Sequence, residues 1–170
     1  MMNQAIHNVD LLQHLVGMPA KIHAFAGALA HERIEVEDTL AASIQFESGA
    51  LGVIECATSC SPGFNRRIEI CGDRGSIVLE DDTIKRWEFV DEQPEDEAIR
   101  RGEANSGLKG GTSDPKVASN EGHRLQIEDL VAAIREGRPP VISGESGRKA
   151  VAIIRAAYES AKSGQVVELG

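Results

Sequence analysis

The sequence lacks any apolar run approaching the roughly 18 residues of a membrane-spanning helix, and Met1-Met2 leads into polar residues rather than a charged and then apolar leader. A spanning segment and an export signal are therefore not expected, and the chain reads as cytoplasmic. Basic charge is also scarce, with 18 Lys and Arg against 27 Asp and Glu and a formal net charge of −9. A nucleic-acid or anionic membrane surface would have to be met by a local basic patch. Only Arg66-Arg67 and Arg100-Arg101 offer one, and both pairs read as solvated surface. Cysteine is limited to Cys56, Cys60 and Cys71, which suits reduced core thiols better than a disulfide frame. On one strand Cys56 and Cys60 would stand about 13 Å apart, too far to bridge. The histidines at 7, 14, 23, 31 and 123 show no paired ligand spacing, so no metal site is expected. No G-x-G-x-x-G follows a strand, Gly107 to Gly111 has neither that spacing nor a βαβ context, and there is no internal repeat.

What is present is a chain of 170 residues, 41% hydrophobic, long enough for one core or one core with a long excursion. A helix is predicted from about Asn3, with Ile6, Val9 and Leu12 to Val16 as its apolar stripe and Gly17-Met18-Pro19 as its stop. Strands follow over Lys21 to Leu29, Asp38 to Phe46 and Ala50 to Ser59, the last two joined at Glu47-Ser48-Gly49. Leu40, Ala42, Ile44 and Phe46 point one way, and Thr39, Ala41, Ser43 and Gln45 the other. Arg67 to Cys71, Ser76 to Glu80 and Thr83 to Val90 continue the pattern, so the central half reads as a β-meander.

Residues 91 to about 118 break it, being acidic and Pro- and Gly-containing; a connection this long is either a substrate- or partner-facing loop or simply mobile. Two amphipathic helices are predicted next, about Asn120 to Glu136 with Ile127, Leu130, Val131 and Ile134 on its apolar face, and about Glu145 to Ser163, before a short strand at Val166 to Leu169. Helices on one face of a largely antiparallel open sheet make an α+β layer architecture. The other face, with Thr39, Ala41, Ser43, Gly52 and Thr58, lacks the charged bristle expected of a wetted surface. It suits either packing against another sheet or partial solvation.

The opening run Asn3-Gln4-Ala5-Ile6-His7-Asn8-Val9-Asp10-Leu11-Leu12 resembles a signature of the glucose-fructose oxidoreductase / inositol dehydrogenase (Gfo/Idh/MocA) family. Val36-Glu37-Asp38-Thr39, Phe46 to Leu51, Ile68 to Ile77 and Pro140 to Ala150 are similar to that family in the same order, so the resemblance covers nearly the whole chain. It implies that residues 1–170 are the C-terminal substrate-binding and oligomerisation domain, with a dihydrodipicolinate reductase-like fold, and that an N-terminal Rossmann domain is absent. The family's G-G-G turn would precede Met1, and its E-K-P lysine would lie in the Rossmann part. Carried over residue by residue, His7 is the catalytic acid/base and Asn3 takes the family's Asp/Asn position. Asp10 is an acidic residue one turn on, able to orient His7 or bond the substrate, or equally to cap or pair within the fold. His123 would reach the same cleft or be a surface residue at a helix start.

The resemblance implies NAD or NADP in the complete parent, none for this chain alone, and an inactive chain in isolation. It also implies a sugar, sugar-acid or nucleotide-sugar substrate and a homo-oligomer formed through the open sheet face. A reading from a different class is a stand-alone domain that keeps the fold for binding or assembly and does no chemistry.

Overall fold

The computed structural model describes residues 1–81, 83–102 and 121–170. The predicted helix start at Asn120 and most of the 91 to 118 segment lie outside them. The described chain forms two compact units, one from Met1–Gly63 with Ile142–Gly170 and the other from Phe64–Val141.

The first unit is built on strands β1 (Pro19–Gly27), β2 (Thr39–Phe46), β3 (Leu51–Ala57) and β7 (Val167–Glu168), in the order β3-β2-β1-β7 and antiparallel throughout. The period-2 pattern of β2 sends Leu40, Ala42, Ile44 and Phe46 to one face, where all four are buried, and leaves Ala41, Ser43 and Gln45 exposed. The buried face is covered by α1 (Ile6–Val16) and α4 (Gly144–Ser163), which contribute Val9, Ala150, Ile153, Ile154, Ala156 and Ala157 to one cluster with Ile22 and Ala24. Local signals set the ends of α4: the Ser143 hydroxyl accepts from the Ser146 amide at 3.2 Å, and Gly164 takes the left-handed conformation at φ 69°.

Gly52 belongs to this buried face rather than to the open one. It pairs with Ile44, and a Cβ there would meet the Phe46 ring at 3.0 Å. A strand residue's face follows from its register, which the turn at Glu47-Ser48-Gly49 decides and composition does not. Thr58, also expected on the open face, lies beyond the end of β3.

The second unit holds the antiparallel sheet β4 (Arg67–Gly72), β5 (Gly75–Glu80) and β6 (Thr83–Phe89). The strands predicted as one meander therefore divide between two sheets. Residues 94–100, expected to be irregular, form α2 (Pro94–Arg100). Pro94 opens it, Gln93 and Asp96 make a capping box, and Trp87 on β6 donates its indole N–H to Asp96 Oδ1 at 2.7 Å. Helix α3 (Glu121–Glu136) forms as expected, but its stripe of Ile127, Leu130, Val131 and Ile134 is exposed.

Ser160 is fully buried in the first unit and bonds at both ends. Its Oγ accepts from the Ala24 amide at 3.0 Å and donates to the Gln165 carbonyl at 2.6 Å. The pairing of β7 with β1 covers only Lys21 and Ile22, so Ser160 satisfies a strand amide that β7 does not reach. Ser160→Ala would strand both backbone groups without water, and a loss of about 1–3 kcal/mol is expected in urea unfolding of the chain. A change below about 0.5 kcal/mol would show that the bridge is not needed.

Candidate functional site

Helix α1 begins at Ile6 rather than at Asn3, with residues 2–5 in a turn, so Asn3 and His7 are not an i,i+4 pair on one helix. Asn3, His7 and Asp10 are all exposed, while Val9 and Gln13 carry the helix's buried side. His7 and Asp10 lie three apart and are surface neighbours. Among the described residues His7 makes no hydrogen bond, and Asp10 Oδ1 accepts from Gln13 Nε2 at 3.2 Å. Asp10 thus has a partner inside its own helix, which fits the capping or pairing reading as well as it fits substrate contact. His123 is exposed in the first turn of α3, in the other unit. An exposed imidazole can accept or release a proton near neutral pH, an amide such as Asn3 can only orient, and a carboxylate such as Asp10 can do either.

Two acidic neighbours from the Val36-Glu37-Asp38-Thr39 run surround a different set of groups. Asp38 is buried. Its carboxylate accepts from the amides of Leu29 at 2.8 Å, Ala30 at 2.8 Å and His31 at 2.9 Å, and from Thr39 Oγ1 at 3.0 Å, with His31 Nδ1 at 3.1 Å. These bonds, led by those from Leu29 and Ala30, hold the carboxyl far below the ordinary aspartate range against the opposing effect of burial. Asp38 thereby folds the connection between β1 and β2. Glu37 instead accepts at Oε1 from the Tyr158 hydroxyl at 2.8 Å and from the nitrogen of Met1. Burial works to raise the Glu37 carboxyl, but these donors outweigh it and hold it below its usual value. Burial and the bond to Glu37 push the Tyr158 phenol up to about 12.

Neither Glu37 nor Tyr158 was picked out for function in the sequence. The available signal was a tyrosine, the sole one in the chain, on an otherwise apolar helix stripe, since a buried Tyr hydroxyl normally finds a partner. An open groove of about 510 Å³ runs past Ala26, Val36, Glu37, Tyr158 and Lys162, and Asn3, His7 and Asp10 are not among its walls.

The open sheet face is now defined by register. Its cross-strand rows are Lys21–Gln45–Leu51, His23–Ser43–Val53 and Phe25–Ala41–Glu55. Phe25, Leu51 and Val53 are 68%, 80% and 81% exposed, so the surface is more apolar than its small residues alone suggest.

The described residues hold no Rossmann-type cradle for a dinucleotide. Every strand pairing is antiparallel, and no parallel strand–turn–helix unit offers a phosphate cradle. Nor does any group of three His, Cys, Asp or Glu among them converge on a metal position. All three cysteines are free, and Cys60 lies outside the strand that holds Cys56. No described helix is long and apolar enough to cross a membrane.

A family described as "Oxidoreductase family, C-terminal alpha/beta domain" (Gfo/Idh/MocA) matches residues 1–169. The myo-inositol 2-dehydrogenase of Thermotoga maritima is 25% identical over 172 residues, taking in 99% of this chain and 48% of the relative. The inositol 2-dehydrogenase of Rhizobium meliloti is 26% identical over 167 residues, or 93% of this chain and 46% of its own length. Among solved structures, the WlbA dehydrogenase of Bordetella pertussis, in complex with NADH and UDP-GlcNAcA, is similar with a TM-score of 0.81 at 29% identity, over 99% of this chain and 45% of that one. The chain spans about half the length of the curated relatives it matches.

Asp38 gives this region a signed pH dependence. Its folded pKa lies below the unfolded value of about 3.9, so its contribution to stability is complete above that value and is lost as pH falls toward the folded one. Asp38→Asn is expected to lower Tm by roughly 5 °C at pH 7, with the gap to wild type narrowing between about pH 5 and pH 2. Thermal melts across that range are the check, and a gap that stays constant with pH would remove the carboxylate charge from the account.

Proposed function

The chain belongs to the glucose-fructose oxidoreductase / inositol dehydrogenase (Gfo/Idh/MocA) family of oxidoreductases as its C-terminal alpha/beta domain, and on that premise we propose that it is the substrate-side half of a dehydrogenase. The substrate class is a sugar, sugar acid or nucleotide sugar. Support for it comes from relatives named as inositol dehydrogenases and from a structural neighbour holding UDP-GlcNAcA. The complete protein would use NAD or NADP, as the NADH complex of that neighbour suggests. The cofactor would be held by a Rossmann domain of the complete protein, as the family resemblance implies.

The observation that carries the reading is the position of His7, exposed on the first turn of α1 without a hydrogen-bond partner among the described residues. A free imidazole there is available to take the proton of the substrate hydroxyl as that carbon is oxidised, and to return it in the reverse direction. Asn3 and Asp10, exposed on either side of His7 in sequence, orient or bond the substrate. His123 is retained as a substrate-binding candidate on the strength of its place in the sequence.

In the complete protein, His7→Ala is expected to lower kcat by about 10² to 10⁴ with cofactor affinity nearly unchanged. Asn3→Ala should cost less, because an amide moves no proton. In the 170-residue chain His7→Ala should change unfolding free energy by less than about 1 kcal/mol, as befits an exposed residue. Steady-state kinetics and urea melts decide the matter together, and unchanged turnover would return His7 to an ordinary surface histidine.

The open sheet face is the proposed oligomer contact. Phe25, Leu51 and Val53 would be covered, and Ala41 and Ser43 between them permit close approach. A specific contact of this kind buries more than about 1,000 Å² in total. Ser43→Lys, at the middle of the face, is expected to convert a dimer or tetramer to monomer with Tm within a few degrees of wild type. Size-exclusion chromatography with light scattering reads this out, and a wild type monomeric at tens of micromolar would overturn it.

A further inference from the structure

Resting on the reading of His7 as the acid/base group, we propose that Tyr158 and Glu37 are positioning residues: together they anchor the segment that leads into α1 and so set where the His7 imidazole stands. Local capping does little to locate the first turn of α1. Its N-cap is Ala5, with no side-chain hydrogen bond to the free amides and no acidic residue in the first turn. Eleven residues are too few for a stable helix on their own. Ile6 and Val9 hold the inner side of the first turn against the core cluster, while His7 stands on its exposed side.

The polar chain adds a restraint on the residues that lead into this turn. The Met2 amide donates to the Tyr158 hydroxyl at 3.2 Å, and that hydroxyl donates to Glu37 Oε1 at 2.8 Å. In the 170-residue chain the terminal ammonium of Met1 donates to the same carboxylate oxygen. Both anchoring residues sit on rigid ground. Tyr158 projects from α4 and packs against the core cluster, and Glu37 directly precedes Asp38, whose five bonds fold its loop. Asn3 is the residue after Met2, and His7 follows four residues later in the first turn of α1. An anchor at Met2 therefore restrains the side of α1 that the proposed chemistry uses.

Tyr158→Phe keeps the ring and its packing while removing the hydroxyl, and Glu37→Gln keeps the shape while removing the charge. In the 170-residue chain, the His7 ring resonance is expected to shift or broaden in both variants. His14, on the same helix beyond the buried residues, should stay in place and serves as the control. Amide exchange of residues 2–9 should rise about 3- to 10-fold, as loss of one ordinary hydrogen bond would allow, with β1 and β2 unaffected. A His7 resonance and local exchange unchanged in both variants would overturn the proposal.

In the complete protein, Tyr158→Phe should lower kcat more than it alters substrate KM, and adding it to His7→Ala should cost nothing further. A His7→Ala enzyme of full activity would sink the catalytic reading and leave the anchor to be judged by the resonances. A slow His7→Ala enzyme beside a Tyr158→Phe enzyme of normal kcat would sink the positioning role itself.

Discussion

Helix α4 lies close enough to β1 for a serine side chain to reach the strand's backbone, and that close approach is the constraint on which the first unit turns. The approach is possible because small residues meet at the contact: Ala150, Ala156 and Ala157 on the helix and Ala24 and Ala42 on the strands are all buried. Ser160 can then stand in for the strand partner that β7 is too short to provide, while its proton goes to Gln165 at the start of the return to β7. Bulkier residues at those positions would separate the layers and leave a buried amide without a partner, which is the more expensive of the two faults.

The same helix supplies Tyr158, so the packing that completes the core also fixes the lead-in to α1. Adjacent carboxylates divide the work around it. Asp38 turns inward and satisfies the amides of Leu29, Ala30 and His31, whereas Glu37 turns to Tyr158. The chemistry proposed for His7 would then sit on a short helix with weak local start signals, placed by contacts made elsewhere in the chain. With α1 and α4 covering one sheet face, the opposite face keeps Phe25, Leu51 and Val53 exposed, and the proposed oligomer contact lies there.

Much of this was legible from residue order because it follows from geometry within a few residues. Alternation from Thr39 to Phe46 separates buried from exposed positions, and Gly17 ends α1, each by a local backbone effect. The ordered motifs likewise pointed to the family. Less legible were α2, whose Pro94 and acidic first turn were masked by an irregular-looking composition, and the start of α1, which has no local cap to mark it.

What the sequence determined by itself was the set of strands, the two sides of β2, the C-terminal limits of α1, α3 and α4, and the candidate histidine, since periods of two and of 3.6 residues are written directly in residue order. Tertiary structure alone decided that the strands divide into two sheets, that Gly52 lies under Phe46, and that the α3 stripe stays exposed among the described residues. It also decided which residues hold the His7 helix. Tyr158 and Glu37 are 121 positions apart, and Ala24 and Ser160 are 136 apart. No local period connects such pairs; only the packing of α4 on the sheet brings them within hydrogen-bond distance, and burial then requires each polar group to find its partner.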